Sequence, residues 1–142
     1  MKRVVGYSGK PLAAKLGLKD GIRFSSIREP KNYPALLGKL PEGVVVLGAR
    51  STNLDLLHLF TMNRRELTRD FPNAKGRINS NGSLWVSWPK LSSTLNSDLN
   101  ENIVREFCLA NGLVDVKVAA IDENWSGLKF MYRLKDRPPK DK

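Results

Sequence analysis

One arrangement occurs four times along the chain and limits its fold more than any other feature. A helix-like segment runs into glycine, and an apolar, strand-like segment follows at once. The four glycines are Gly21, Gly43, Gly82 and Gly112. Glycine enters the left-handed conformation that ends helices without a steric penalty from Cβ. Repetition of this unit is typical of a β-sheet covered by helices.

The hydrophobic pattern predicts four helices and six strands. We expect helices over residues 11–16, 32–40, from Asn63 to an end or kink at Pro72, and 98–110. We expect strands over residues 22–27, 44–47, 54–60, 84–88, 113–121 and 128–134. The second, third and fourth strands are nearly continuous apolar runs, which is typical of parallel strands buried on both faces.

The last two strands are joined by "DENWSG" without a helix, which predicts an antiparallel hairpin. We therefore predict a single α/β domain over residues 1–134. It should be a three-layer Rossmann-like sandwich with a mixed, mostly parallel sheet of about six strands that ends in the hairpin. Residues 135–142 read as a disordered basic tail.

The rare residue types exclude several kinds of chemistry. The chain has 142 residues, one cysteine (Cys108) and one histidine (His58), so it has neither an internal disulfide nor enough ligands for a Cys/His zinc site. We expect Cys108 to be a small buried hydrophobic residue and His58 to be a hydrogen-bonded core residue. No metal and no cofactor are predicted. An apolar leader and a membrane span are missing from the sequence, so we expect no membrane partner and a cytoplasmic location.

The stretch "GSLWVSWPK" ends on a bulky aromatic, a residue that cannot pair in a sheet, and a cation: Trp88, Pro89 and Lys90. Ligands of open α/β sheets bind beyond the carboxyl ends of the strands. Arg28 follows the first strand at that edge. If the fifth strand runs parallel to the fourth, the hairpin loop reaches the same edge and brings four more side chains towards Lys90, namely Asp122, Glu123, Trp125 and Ser126.

Two interpretations of this edge remain open. In the functional one, Lys90 binds an anion, Asp122 or Glu123 orients it, and Trp88 or Trp125 offers a stacking face to a planar ligand. In the structural one, the tryptophans only close the core and Lys90 pairs with Asp122 at the surface. The first functional hypothesis is thus a binding module for an anionic small molecule or a protein partner at this edge.

The charge distribution supports a second hypothesis. The net charge is +10, and residues 1–31 hold eight Lys or Arg against two acids. Basic surfaces attract phosphate-bearing partners, so nucleic acid is a possible partner of the N-terminal third and the tail. The candidate contacts are Lys2, Arg3, Lys10, Lys15 and Lys19. A surface that serves only solubility is the alternative.

The element order, with its final hairpin, resembles an abbreviated class I methyltransferase (Rossmann-like) domain. That resemblance implies a glycine-rich cofactor loop after the first strand, yet no glycine lies between Gly21 and Gly38, and Pro30 has no N–H to offer. The acidic residue expected at the end of the second strand is also missing. A divergent methyltransferase-like transferase is therefore the third hypothesis, and whether the chain is an enzyme stays open.

The whole chain also resembles small bacterial proteins of the domain of unknown function 3052 type. The similar stretches are "GYSGKPLAAKLGLKDG", "LDLLHLF", "GSLWVSWPK" and "GLVDVKVAAIDENWSGLKFMYR". The pairing of a Trp-Pro-Lys strand end with an Asp-x-x-Trp-Ser-Gly hairpin is the most specific part. This resemblance implies no activity, cofactor or functional residue.

Overall fold

Six strands form one sheet in the computed structural model, which describes residues 11–137. In chain order the elements are α1 (Leu12–Leu16), β1 (Arg23–Ile27), α2 (Tyr33–Leu37), β2 (Val45–Val46), β3 (Leu54–Phe60), α3 (Arg64–Arg77), β4 (Ile78–Pro89), α4 (Glu101–Ala110), β5 (Leu113–Ala120) and β6 (Trp125–Tyr132), then a 3₁₀ helix, Leu134–Asp136. The strand order is β2-β1-β3-β4-β6-β5. The first four strands in that order are parallel, and β6 is antiparallel to both of its neighbours. The predicted Rossmann-like sheet with its terminal hairpin is confirmed.

Helices cover both faces of this sheet and create two hydrophobic cores. Leu67 and Phe71 of α3 and Val104 of α4 pack on one face. Leu12 and Leu16 of α1, together with α2, pack on the other. Burial of apolar side chains on both faces is the main force that holds these layers together.

A buried histidine links the strands to α2. His58 on β3 has no solvent exposure; its Nδ1 lies 2.6 Å from the Tyr33 hydroxyl and its Nε2 lies 2.8 Å from Ser87 Oγ. The Phe60 ring stacks on the imidazole with centroids 4.1 Å apart. The predicted hydrogen-bonded core histidine is confirmed. Cys108 is also buried as predicted, and burial raises the pKa of its thiol.

The second strand departs from its prediction. Val45 and Val46 of β2 are 42% and 59% exposed, although the apolar run predicted burial on both faces. The strand lies at the edge of the sheet, and residues 47–53 connect it to β3 without a helix that could cover it. An apolar run alone does not distinguish an edge strand from a central one.

The predicted glycine between a helix and a strand is confirmed only at Gly112, which follows α4 with φ of +98° directly before β5. Gly21 and Gly43 also have positive φ, +85° and +88°, shortly before β1 and β2, but the helices before them end earlier, at Gly17 and Gly38. Gly82 instead lies inside β4, which begins at Ile78 rather than at residue 84. A Cβ at Gly82 would lie 2.7 Å from the Leu54 carbonyl oxygen, so glycine here permits the close approach of β3 and β4.

Several predicted boundaries also move. Helix α2 ends at Leu37 rather than at residue 40, α4 begins at Glu101 rather than at residue 98, and β6 spans Trp125–Tyr132 rather than residues 128–134. Helix α3 continues through Pro72 to Arg77, because Pro72 is on the exposed side, where water can satisfy the carbonyl that loses its helical partner. At the other end, residues 135 and 136 belong to the 3₁₀ helix, and Arg137 Nε donates to the Tyr132 carbonyl at 2.7 Å. The rest of the predicted tail lies outside the described residues. Among residues 11–137, no helix is long and apolar enough to cross a membrane.

The buried imidazole should make the protein sensitive to acid. Burial lowers the pKa of His58 from 6.5 to about 3, so the folded state favours the neutral ring. The resulting stability is complete above pH 6.5 and is lost as pH falls towards 3. We expect wild type to lose up to about 1.4 kcal/mol more unfolding free energy per pH unit in that window than His58→Gln, measured by urea denaturation.

The protonation state of His58 can also be measured on the wild-type protein alone. His58 is the single histidine of the chain, so its imidazole signals in an NMR spectrum are unambiguous. They should not shift between pH 7.5 and 5. A titration centred near the ordinary value would contradict the buried, neutral ring.

Candidate functional site

The end of β4 and the tip of the β5–β6 hairpin lie at the same edge of the sheet. Pro89 pairs with Trp125 and Trp88 pairs with Ser126. One residue further on, the Lys90 backbone N–H donates to the Asn124 carbonyl at 2.8 Å. Since β4 and β5 are both antiparallel to β6, they run in the same direction and end at this edge. The structure thus brings the Trp-Pro-Lys segment and the hairpin together.

A cavity of about 610 Å³ opens beside this junction. Trp88, Lys90 and Ser126 contribute its sheet side, and the start of α4 contributes the opposite wall. The remaining lining residues come from the connecting segment and α4: Leu91, Ser92, Leu99, Asn100, Glu101 and Asn102. Its position at the carboxyl end of β4 is where α/β sheets bind ligands. We call it the β4–β6 cavity.

The α4 N-terminus is built by a side-chain cap. Asn100 has an extended backbone, and its Oδ1 accepts a hydrogen bond from the Ile103 N–H at 2.9 Å. The carboxylate of Glu101 in the first turn is held by Arg105, which also binds Asp115 of β5. The cap and this pair of bridges fix the first turn of α4 against the hairpin.

The two acidic residues of the hairpin do not orient Lys90. Asp122 is buried, and its Oδ1 accepts hydrogen bonds from the backbone N–H groups of Asn124 and Trp125 at 2.8 and 2.9 Å. Its carboxylate therefore shapes the turn. Glu123 is exposed. Within residues 11–137, no ion pair joins Lys90 to either acid, so the predicted pairing is wrong.

The three tryptophans divide between the two cores. Trp88 lines the β4–β6 cavity on the α3–α4 face. Trp125 is 8% exposed on the opposite face, where its ring meets Phe60 edge to face with centroids 5.0 Å apart. Trp85 is fully buried and donates from Nε1 to the Leu16 carbonyl at 3.0 Å. The prediction that Trp125 offers a stacking face is therefore wrong, because the ring is part of the core.

Arg28 lies at the same sheet edge but in a different cavity. A space of about 510 Å³, which we call the β1–β2 cavity, lies between the ends of β1 and β2, two strands away from β4. Arg28 lines it, and its Nε lies 2.6 Å from the Asp70 carboxylate of α3. That hydrogen bond and the charge of Asp70 raise the pKa of the guanidinium. Arg28 and Lys90 therefore do not form one site.

Sequence reasoning missed the second guanidinium of the β1–β2 cavity. Arg77, the last residue of α3, is buried; its Nε donates to the Ser51 carbonyl at 2.7 Å and its Nη2 to the Gly48 carbonyl at 3.0 Å. It thereby holds the loop that follows β2. A cation in the last helical turn carries no sequence signal that would distinguish it from a solvated one.

The residues predicted to contact nucleic acid are only partly within the described chain. Lys2, Arg3 and Lys10 lie outside it. Lys15 is buried in α1 and its ammonium donates to the Ala120 carbonyl at 2.9 Å, so the prediction of a surface contact is wrong there. Lys19 is exposed. Residues 11–137 also contain no group of three or more His, Cys, Asp or Glu side chains that could hold a metal ion.

Comparison with known proteins identifies the fold. No protein-family model matches the chain, so the resemblance to the domain of unknown function 3052 type gains no support. No curated protein matches its sequence. Among solved structures, a SAM-dependent methyltransferase from Aquifex aeolicus superposes with a TM-score of 0.60 at 11% identity, over 90% of this chain and 91% of that one.

Two further solved structures show the same fold. Aeropyrum pernix fibrillarin in complex with S-adenosyl-L-methionine gives a TM-score of 0.54 at 12% identity, over 84% of this chain and 73% of that one. The ribosomal protein L11 methylase of Lactobacillus delbrueckii subsp. bulgaricus gives 0.53 at 11% identity, over 86% and 75%. At these identities the likeness extends to the fold, which is the Rossmann-like fold of class I methyltransferases.

Proposed function

We propose that this chain binds an anionic small molecule in the β4–β6 cavity, with its negative group between Lys90 and the first turn of α4. The observation that carries the proposal is the convergence of one cation and one helix N-terminus on a single strand-end cavity. The likeness to SAM-dependent methyltransferases supports a small-molecule binder of Rossmann-like fold and leaves the ligand open.

The cation at this cavity has no acidic partner among residues 11–137. Lys90 is half-buried and lines the cavity, and none of the four ion pairs in the described chain includes it. A partly desolvated ammonium attracts a carboxylate or phosphate more strongly than a fully exposed one does. An anionic ligand would supply the missing partner.

The helix contributes a second positive element. The first N–H groups of a helix have no acceptor within it, and the helix dipole places partial positive charge at this end. Asn100 satisfies the Ile103 N–H, and Glu101 and Asn102 of the same turn line the cavity. Ser126 adds a hydroxyl, and the indole of Trp88 provides apolar surface for the uncharged part of a ligand.

Removal of the Lys90 charge should weaken anion binding. We expect adenosine monophosphate and inorganic phosphate to raise the melting temperature of the wild type. In Lys90→Ala the dissociation constant should rise about tenfold, which corresponds to the loss of one charge-assisted hydrogen bond. Melting curves recorded at increasing ligand concentration measure both the rise in melting temperature and the dissociation constant.

Lys135→Ala is the matched control. Lys135 is exposed in the 3₁₀ helix that follows β6. Because β6 is antiparallel to β4, this helix lies at the amino ends of the parallel strands, away from the β4–β6 cavity. The variant removes the same charge and should keep wild-type affinity. Equal weakening in both variants would show a non-specific effect of net charge, and the absence of any ligand-dependent shift in the wild type would contradict the proposal.

A protein partner at the same rim is the alternative favoured by one observation. Leu91 lines the β4–β6 cavity and is 89% exposed, which is unusual for a large apolar side chain beside a cavity. A partner that covers this rim would bury it. Leu91→Ser should then weaken the partner's binding while phosphate affinity stays at the wild-type value.

The methyltransferase hypothesis is supported by the fold, but the residues of the β1–β2 cavity do not fit S-adenosylmethionine. The backbone after β1 runs through Arg28, with φ of +58°, into Pro30, which has no N–H to donate. The end of β2 offers Leu47, Gly48 and Ala49, where an acid would hold a ribose. Two guanidinium groups, those of Arg28 and Arg77, line the cavity with one acid, Glu29, so the charged groups of the lining are mostly positive and do not favour a sulfonium cation.

We therefore expect no S-adenosylmethionine binding by isothermal titration calorimetry at concentrations where phosphate already stabilises the protein. The variant Arg77→Ala should not bind the cofactor either, because the segment after β1 still has no glycine and Pro30 has no N–H to donate. Measured binding of the cofactor by the wild type would restore the transferase hypothesis.

A further inference from the structure

Two lysines face each other across the β5–β6 hairpin. Lys117 and Lys129 are direct partners in the antiparallel register. Both lie on the face that α1 covers: Lys117 Nζ reaches the Lys15 carbonyl at 3.5 Å, and Lys129 lines a cavity with Gly17 of α1. Like charges at directly opposed positions destabilise a sheet. The register of the hairpin therefore holds two like charges next to each other, and their repulsion lowers the stability of the folded chain.

A third lysine joins this pair. Lys19, which follows α1, lines the same cavity of about 590 Å³ as Lys129. Burial lowers the pKa of Lys129, and the charges of Lys117 and Lys19 lower it further. Asn81 and Ser83, near the start of β4, add polar groups to the lining. Lys19 and Lys129 thus line one cavity near the amino ends of β1, β3 and β4, and Lys117 lies beside it as the cross-strand partner of Lys129.

No acid in the described chain neutralises this lysine cluster. Residues 11–137 contain no ion pair that includes Lys19, Lys117 or Lys129. The single acid that lines the cavity is Asp55, and its two oxygens already accept hydrogen bonds from the Arg23 N–H and the Asn79 amide at 2.9 and 2.8 Å. Asp55 therefore offsets one positive charge of the cluster without an ion pair to any of the three lysines, and the remaining positive charge is open to an external anion.

We infer that Lys19, Lys117 and Lys129 form a binding site for phosphate groups, separate from the β4–β6 cavity. Lysine binds phosphate as a compact point charge, and two lysines that line one cavity, with a third paired beside them, suit a polyphosphate or neighbouring phosphates in a nucleic-acid strand. Binding would relieve the repulsion across the hairpin. The site lies near the amino ends of the parallel strands, so it does not depend on the function proposed for Lys90.

The test uses tripolyphosphate and a single-stranded oligonucleotide as probes, each titrated at low salt. We expect Lys117→Gln and Lys129→Gln each to weaken binding about tenfold, the effect of one lost charge-assisted hydrogen bond. Without ligand, both variants should melt at a higher temperature than the wild type, because the repulsion is gone. A purely structural role for either lysine predicts the opposite change.

Lys31→Gln is the matched control, because it removes the same charge at a different place. Lys31 is exposed and follows β1, at the carboxyl ends of the parallel strands. The variant should bind both probes as the wild type does. Binding of tripolyphosphate alone identifies a free polyphosphate as the ligand. Binding of the oligonucleotide, with a salt dependence that weakens in Lys129→Gln, identifies a nucleic-acid backbone. Equal weakening in Lys31→Gln, or no binding of either probe, would overturn the inference.

Discussion

The antiparallel pairing of β4 with β6 is the contact on which the rest of the molecule depends. It joins Leu84 to Phe130 at one end and Pro89 to Trp125 at the other, with regular partners between. Side chains alternate between the faces of a sheet, so a slip of one residue would exchange the faces of β6. Leu128 and Phe130 would then leave the α3–α4 core, and the charged Lys129 would enter it.

This register also protects the buried polar network. Gly127 is opposite Ser87, and a Cβ at Gly127 would lie 3.0 Å from the Ser87 hydroxyl oxygen. That hydroxyl lies within hydrogen-bonding distance of His58, which in turn contacts Tyr33 of α2. A buried polar chain of this kind is stable only when every member has a partner. The hairpin therefore influences the packing of α2, which lies on the same face of the sheet and contacts β3 through His58.

Much of this architecture can be read from sequence because the signals are local. The final hairpin follows from the short "DENWSG" connection, and the parallel strands follow from the apolar runs of β3 and β4. The shared edge of Lys90 and the hairpin tip then follows from strand direction alone. His58 and Cys108 were predictable as core residues because each lies in an apolar segment.

The rest depends on contacts between distant segments, which leave no local trace. Asp122 was predicted to face Lys90, but its carboxylate caps its own turn. Trp125 was predicted to line the site, but it packs on the opposite face from Trp88. The direct partner of Trp88 is Ser126, and Trp125, the residue before it in β6, points to the other face. The lysine cluster needs the bulge between Asp115 and Lys117, which sets Lys117 opposite Lys129.

The two ends of the parallel strands thus present positive charge in different settings. At the carboxyl ends one lysine lies beside a helix N-terminus, and at the amino ends two lysines line a cavity with a third paired beside them. Amide chemical-shift mapping of the full chain during a phosphate titration tests the first of these most directly. The account predicts saturable shifts at Lys90, Glu101, Asn102 and Ser126, with the Arg28 and Gly48 amides unchanged. Shifts confined to the β1–β2 cavity, or spread evenly over all exposed cations, would contradict it.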